Sequence, residues 1–408
     1  MSDQAALLLA REQAVARARD TRVIGMTGAA HFMSHYYMLV LPPLFGVVRD
    51  EFSVSYTELG FALVAFNVTS AILQTPAGFL VDRIGARLPL FAALLLGAIT
   101  FAVAGLTDSF WLLVAMFALA GVANAAYHPA GYWMLSHEVA PERVAAAYSF
   151  HTFAGMLGSA IAPVTLLLMQ RHWGWRGAFL GTAAIGAAVS LLMLAQPRMK
   201  PAAAGGASTA GTAAAPASWR VLISAPILLN FVTFVLLGLI SFGLQNYSVV
   251  ALGALYDTAA VTANAALTSY LGFTAAGVLA GGMLAARTGR HAALTAAALV
   301  ATAIGTASIT LGDPGTGLLI ALMGAIGLLN GAVMPARDLL VRQVTPPGAF
   351  GVVFGFVTTG YNVAGILAPL VFGLVMDYGH PGLVFALVAV FSLVAVSTVL
   401  ALPGRPAR

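Results

Sequence analysis

The sequence predicts an all-α membrane protein: twelve transmembrane helices in two pseudo-symmetric six-helix bundles. Three observations carry that expectation. The chain of 408 residues is 60% hydrophobic and only 8% charged, so it lacks the polar groups to cover a soluble surface and its apolar excess must face lipid. Its apolar runs are about 20 residues or longer, the length that crosses a bilayer, and short loops separate them. A glycine-framed basic turn at Gly78-Phe79-Leu80-Val81-Asp82-Arg83-Ile84-Gly85-Ala86-Arg87 has an altered copy at Gly282-Met283-Leu284-Ala285-Ala286-Arg287-Thr288-Gly289-Arg290, as a duplicated bundle would leave.

Taken in order, residues 1–21 are polar, with Arg11, Arg17, Arg19 and Asp20, and read as a cytoplasmic tail without a cleavable leader. Apolar runs at about 23–48, 56–81, 88–106, 110–135, 145–170 and 177–196 supply six spans, and the N-terminal bundle is expected over 22–197. Residues 201–218 are nearly all Ala, Gly, Ser, Thr and Pro, which cannot build a packed core, so 198–219 reads as a cytoplasmic linker. Six further runs at about 221–250, 260–285, 292–311, 316–341, 350–375 and 383–402 give a C-terminal bundle over 220–403, followed by a tail at 404–408. Sliding 121–163 by 206 positions onto 327–369 aligns Gly121 with Gly327, Asn124 with Asn330, Pro129 with Pro335 and Pro163 with Pro369. The glycines of the first basic turn allow a tight reversal, while Asp82 can cap or pair.

All but three of the basic residues in the loops and tails fall on one side of this topology; Arg49, Arg171 and Arg176 fall on the other. The positive-inside bias then places both termini in the cytoplasm of a multi-pass inner-membrane protein, with Trp111, Trp173 and Trp175 near the opposite interface. The net charge of +5 is topology information, because the basic residues are spread singly and no nucleic-acid face forms. With no cysteine, disulfides and thiolate chemistry are excluded. No phosphate-binding loop and no H-E-x-x-H motif occurs, so the chain is expected to be no enzyme, to carry no cofactor or metal and to transport without ATP. Its expected partners are the lipid bilayer, protons and a small anionic solute, and it is expected to be a monomer.

The two-half organisation and the Gly78–Arg87 turn resemble the major facilitator superfamily, whose loop between the second and third helices carries G-x-L-x-D-R-x-G-R; here Ala86-Arg87 brings the last element one place late, and Ala286 stands for Asp in the second copy. The resemblance covers nearly the whole chain. It implies a central cavity lined by spans one and four and gate contacts involving Gly78, Asp82, Arg83, Gly85, Arg87, Arg143 and Arg287. A narrower resemblance is to the fosmidomycin-resistance-type branch. It rests on His31-Phe32-Met33-Ser34-His35 followed by Leu41-Pro42, on Tyr127-His128-Pro129, on Gly155-Met156-Leu157-Gly158 and on Ala162-Pro163, with Ser34 and His35 replacing that branch's Asn and Asp.

Inside the spans, His31 and His35 are four apart and share a helix face, where two imidazoles could relay a proton; His128 and His151 would assist. Arg337 and Asp338 are adjacent charges at the repeat positions of Gly131 and Tyr132. Their 100° separation on a helix favours an Asp338–Arg342 pair and leaves Arg337 for an anion or, equally, for a gate. Substrate contacts are expected from His31, His35, Tyr127, His128, His151, Asn230, Asn246, Arg337, Tyr361 and Asn362, and proton coupling from His31, His35 and Asp338. Pro42-Pro43, Pro129, Pro163, Pro335 and Pro369 are expected to break or bend helices near the cavity. The leading expectation is a proton-coupled carrier of a small carboxylate or phosphonate-like anion. An exporter of drugs or toxic compounds is the alternative, and a non-transporting receptor is a third.

Overall fold

The computed structural model describes residues 3–195, 221–288, 290–346 and 350–402. The linker and C-terminal tail, with Arg198, Lys200, Arg220, Arg405 and Arg408, lie outside the described residues, as does the side chain of Asp82. Everything regular among the described residues is helical: α1 Asp3–Met38, a 3-10 turn Pro42–Leu44, α2 Phe45–Phe52, α3 Tyr56–Ile84, α4 Arg87–Leu106, α5 Phe110–Glu138, α6 Pro141–Ala195, α7 Ala225–Tyr256, α8 Ala260–Arg287, α9 His291–Leu311, α10 Thr316–Val344, α11 Phe350–Asp377 and α12 Gly382–Leu400. Ten of these helices are long and apolar enough to cross a membrane. In lipid an isolated span must satisfy its backbone internally, so a chain of this composition folds as helices.

One expected element differs in detail. The first span stops at Met38 because Pro42 and Pro43 cannot continue the helix, and the chain passes through the 3-10 turn into the short α2. The fifth and sixth spans are separated, as expected, between 170 and 177: α6 breaks at Gly174, whose φ of 68° and ψ of 177° are open to glycine and not to a side chain. Counting α1 and the short α2 as one limb and α6 as two gives twelve limbs among the described residues. The other four prolines sit inside continuous helices, Pro129 in α5, Pro163 in α6, Pro335 in α10 and Pro369 in α11, so they interrupt hydrogen bonds without ending the element.

Helix ends follow local chemistry. Ser55 and Glu58 form a reciprocal capping box at the start of α3, a device worth about 1 kcal/mol. At its other end Gly85, with φ of 81°, makes the tight turn into α4 that the basic motif required. Trp111 and Trp173 are exposed, whereas Trp175 is buried against Phe52 and Phe179 beneath the Arg176 guanidinium. That indole is a packing residue, not an interfacial anchor. Arg176 also binds the Thr107 carbonyl, Glu51 and Asp108, tying the loops at this end of the N-terminal half.

The halves repeat one another at close crossings. A Cβ at Gly121 of α5 would collide with the Phe66 carbonyl of α3, and a Cβ at Gly327 of α10 would collide with the Tyr270 carbonyl of α8. Gly158 of α6 lies on the Phe32 carbonyl of α1, and the residues 206 positions later, Ala364 of α11 and Gly238 of α7, touch in the same way. Small residues at these sites let backbones approach, which is how helices gain packing energy where lipid removes the hydrophobic drive. Between the halves, Gly60 of α3 packs against Pro369 of α11, Asn67 donates to the Gly365 carbonyl at 3.3 Å, and the Asp377 carboxylate accepts from the Tyr56 and Thr57 amides at 2.6 and 2.8 Å. The two bundles are therefore closed on each other at the Asp377 end.

Candidate functional site

Between the halves lies a cavity of about 190 Å³. The N-terminal half contributes His35 and Met38 from α1 and Met156 and Ser159 from α6; the C-terminal half contributes Ser241, Phe242 and Gln245 from α7, Tyr270, Leu271 and Thr274 from α8, Asn330 and Met334 from α10, and Tyr361 from α11. A second cavity, of about 260 Å³, shares Met156 and runs between α6 and α8 past Tyr148, Thr152 and Val278. It extends away from the Asp377 latch, toward the end where α6 begins and α8 finishes.

Of the residues expected to bind substrate, His35 and Tyr361 line the central cavity. His31, His128 and His151 form a cluster with His35. The His31 ring is stacked on His151 with centroids 3.9 Å apart and planes 6° apart, and meets His35 and His128 edge-on at 4.7 and 4.9 Å. Glycine makes the room: a Cβ at Gly155 would sit 2.6 Å from His31 Cε1, and one at Gly131 would sit 2.7 Å from His151 Cε1. His31 Nδ1 lies 2.7 Å from the His151 carbonyl, which can only accept, so Nδ1 carries the proton and Nε2 keeps its lone pair. That Nε2 and both ring nitrogens of His151 are buried without a hydrogen-bond partner. His35 Nδ1 is 3.1 Å from the Ser159 hydroxyl.

Tyr127 is buried beside this cluster in sequence, and its hydroxyl has no partner. Asn230 donates to the Pro226 carbonyl of its own helix. Asn246 is buried on α7 and Asn362 half-buried on α11, and neither lines either cavity. Residues that the sequence did not single out do more: Asn330 donates to Ser241 and to Tyr270, and Ser241 is 3.3 Å from the Tyr361 hydroxyl, a polar network on the cavity wall. The signal was present in the repeat, since Asn330 matches Asn124, which donates to Ser70 in the N-terminal half.

Arg337 stands behind Tyr361. Its guanidinium lies 4.4 Å over the Phe234 ring and 4.9 Å over the Tyr361 ring, its side chain is 15% exposed, and Nη1 is buried without a partner. Contrary to the expected i to i+4 pairing, Arg337 Nε meets Asp338 Oδ1 at 3.3 Å. The long Arg337 side chain can bend across the 100° step to reach Asp338, whose carboxylate stays 43% exposed.

The gate residues fall mainly within their own halves. Gly78 faces Pro129, Arg87 donates to the Met193 carbonyl, and Arg143 reaches the Arg17 carbonyl and the buried carboxylate of Asp20. Asp20 also accepts from the Ala140 amide ahead of α6. Arg83 and Arg287 are exposed. A charged contact that crosses between halves, Asp377 on the first turn of α3, had no counterpart among the sequence expectations.

Two helical bundles of like construction, closed around a largely apolar cavity with a few polar side chains on its wall, define a multi-pass membrane protein of the carrier type. The model of the Major Facilitator Superfamily matches residues 27–261 and 241–408, and the chain belongs to that family. It is 25% identical to the "Probable sulfoacetate transporter SauU" of Cupriavidus necator, over 87% of each chain, and 24% identical to the "Fosmidomycin resistance protein" of Escherichia coli K12, over 98% of this chain and 97% of that one. It is 29% identical to the "Probable L-galactonate transporter" of Escherichia coli K12 over 34% of this chain, and spans only 31% of that relative's length. In structure it resembles a bacterial homolog of the human lysosomal transporter Spinster, solved in an inward-facing and occupied conformation, with a TM-score of 0.75 at 14% identity over 94% of this chain and 96% of the other. Three of these four are named as transporters, in keeping with an expected lack of enzymatic activity.

Proposed function

We propose that the protein is a secondary carrier of a small organic anion, a carboxylate or phosphonate, working by alternating access under a proton gradient in the inner membrane. One observation carries the anion: Arg337, always charged, is held by aromatic faces with an unsatisfied donor, one side chain behind the cavity wall. A planar guanidinium with free donors binds a carboxylate or phosphonate through paired charge-assisted hydrogen bonds. The relatives named for sulfoacetate and galactonate support an acidic solute. With both termini cytoplasmic, the Asp377 end faces outward, and the second cavity beside α6 and α8 is the route to the cytoplasm. The two bundles would rock about the central cavity to exchange this arrangement for its inverse.

The test is solute-triggered proton flux in proteoliposomes under a fixed pH gradient, with small carboxylates and phosphonates set against lipophilic cations. Proton movement triggered by an anion is expected; a response to cations alone overturns the reading. Export of an anionic antibiotic is a second reading, favoured by the match to a fosmidomycin resistance protein along nearly the whole chain. Resistance profiles in cells lacking other pumps separate it from uptake.

A further inference from the structure

The imidazole cluster has more lone pairs than its surroundings use. His31, His128 and His151 each offer a ring nitrogen, and these atoms lie within 4.8 Å of one another. His31 is 4% and His151 1% exposed, and Nε2 of His31 and both ring nitrogens of His151 are buried without a partner, which leaves each of these two rings a nitrogen free to act as a ligand. Leaving a buried polar atom unpaired costs about 1–3 kcal/mol, so three in one place are expensive unless something occupies them. The matching positions of the C-terminal half, Leu237, Met334 and Val357, show that this fold packs there without imidazoles.

We propose that His31, His128 and His151 form a binding site for one soft monovalent transition-metal ion, cuprous copper. Three features select that ion. The His31 Nδ1 proton is fixed on a backbone carbonyl, which orients the ring and presents Nε2 as a ligand, the usual arrangement behind a metal-bound imidazole. The cluster is made of histidines with no carboxylate, so a divalent ion would be buried with its charge uncompensated. Charging cost rises with the square of the charge, and a single charge costs about a quarter as much. Neutral imidazole and thioether ligands suit Cu(I), and the cavity that reaches the cluster through His35 is lined by the thioethers of Met38, Met156 and Met334. These would pass the ion inward.

Binding requires a small rearrangement. Three nitrogens around an ion with bonds of about 2 Å stand roughly 3.5 Å apart, so the stacked His151 ring must turn to bring its nitrogen toward His31 Nε2. Gly131 and Gly155 leave the space for it.

The experiment uses the full chain in lipid nanodiscs, under anaerobic reducing conditions, with Cu(I) supplied as its bicinchoninate complex. The wild type is expected to withdraw one equivalent from the chelator, and X-ray absorption is expected to show nitrogen neighbours. His151→Phe and, at the half-buried position, His128→Asn are each expected to weaken binding by about 100-fold or more. Arg337→Met is expected to bind copper as the wild type does, which separates this site from the anion reading. Failure of the wild type to withdraw copper, a sulfur-only environment, equal binding by the histidine variants, or preference for Zn²⁺ over Cu(I) would each overturn the proposal. Should the histidine variants fail to fold, the wild-type stoichiometry and absorption spectrum decide it alone.

Discussion

The two halves of the molecule answer the same packing problem with opposite chemistry. In the N-terminal half three positions are glycine, Gly28, Gly131 and Gly155, and the space beside Gly131 and Gly155 is taken by imidazoles; Gly28 makes room for Phe150. In the C-terminal half the same three repeat positions are Phe234, Arg337 and Tyr361, which stack into one cation–π cluster, while the positions of His31, His128 and His151 are Leu237, Met334 and Val357. One half is a neutral, lone-pair-rich pole and the other a fixed positive pole, with His35 and Tyr361 facing the shared cavity. The halves share their helices and crossings, and differences at six repeat positions make the bundle asymmetric around the cavity.

Removing the positive pole is the largest expected change. Arg337→Met keeps length and apolar contact and deletes the charge, and is expected to lower anion affinity by about 100-fold, the size of a charge-assisted pair worth about 2–3 kcal/mol. Isothermal titration of small carboxylates and phosphonates into the purified protein measures it, and an unchanged affinity would leave the two poles without functional meaning. Next comes the steric half of the comparison. Gly155→Ala places a methyl 2.6 Å from His31 and is expected to destabilise the protein by about 2 kcal/mol, whereas Gly25→Ala on the same bundle meets nothing within 4 Å and is expected to gain a few tenths from helix propensity. Thermal melting of the two variants gives opposite signs if glycine is there to admit imidazole.

The latch comes third. Asp377→Asn removes the charge that α11 places on the first turn of α3 and is expected to weaken closure at that end by about 1.4 kcal/mol, a tenfold shift in population. Because the chain has no cysteine, the rate at which Gln245→Cys reacts with an impermeant maleimide from outside reads that shift directly. The smallest effect is expected from Tyr361→Leu, which takes one aromatic face from Arg337 and should change anion affinity about fivefold, near the 1 kcal/mol of a cation–π contact. Tyr361→Phe, which keeps the face, should stay closer to the wild type in the same binding measurement.

Much of the fold was legible because membrane insertion leaves its mark locally. Apolar run length, the glycine turn at Gly85 and the repeat that pairs Gly121 with Gly327 are properties of neighbouring residues or of whole segments. The break between the fifth and sixth spans was legible in the same way, and Gly174 makes it with a positive φ. The site was legible only in part. His31 and His35 share a face by their spacing, and Arg337 is conspicuous as a charge among apolar residues. Asn230, by contrast, satisfies itself on its own helix, while Ser241, Tyr270 and Asn330, unremarkable in an apolar chain, build the cavity wall.

The sequence by itself determined that this is a helical membrane protein of two similar halves, with histidines inside the spans of one and an arginine inside a span of the other, because lipid demands long apolar helices and makes each ionisable residue within them stand out. Only the tertiary structure decided that His31, His128 and His151 meet, that Arg337 rests on Phe234 and Tyr361, and that Asp377 closes α11 onto α3. Those contacts join residues far apart in the chain, and their geometry is set by how closely glycine lets the helices approach, which no local pattern encodes.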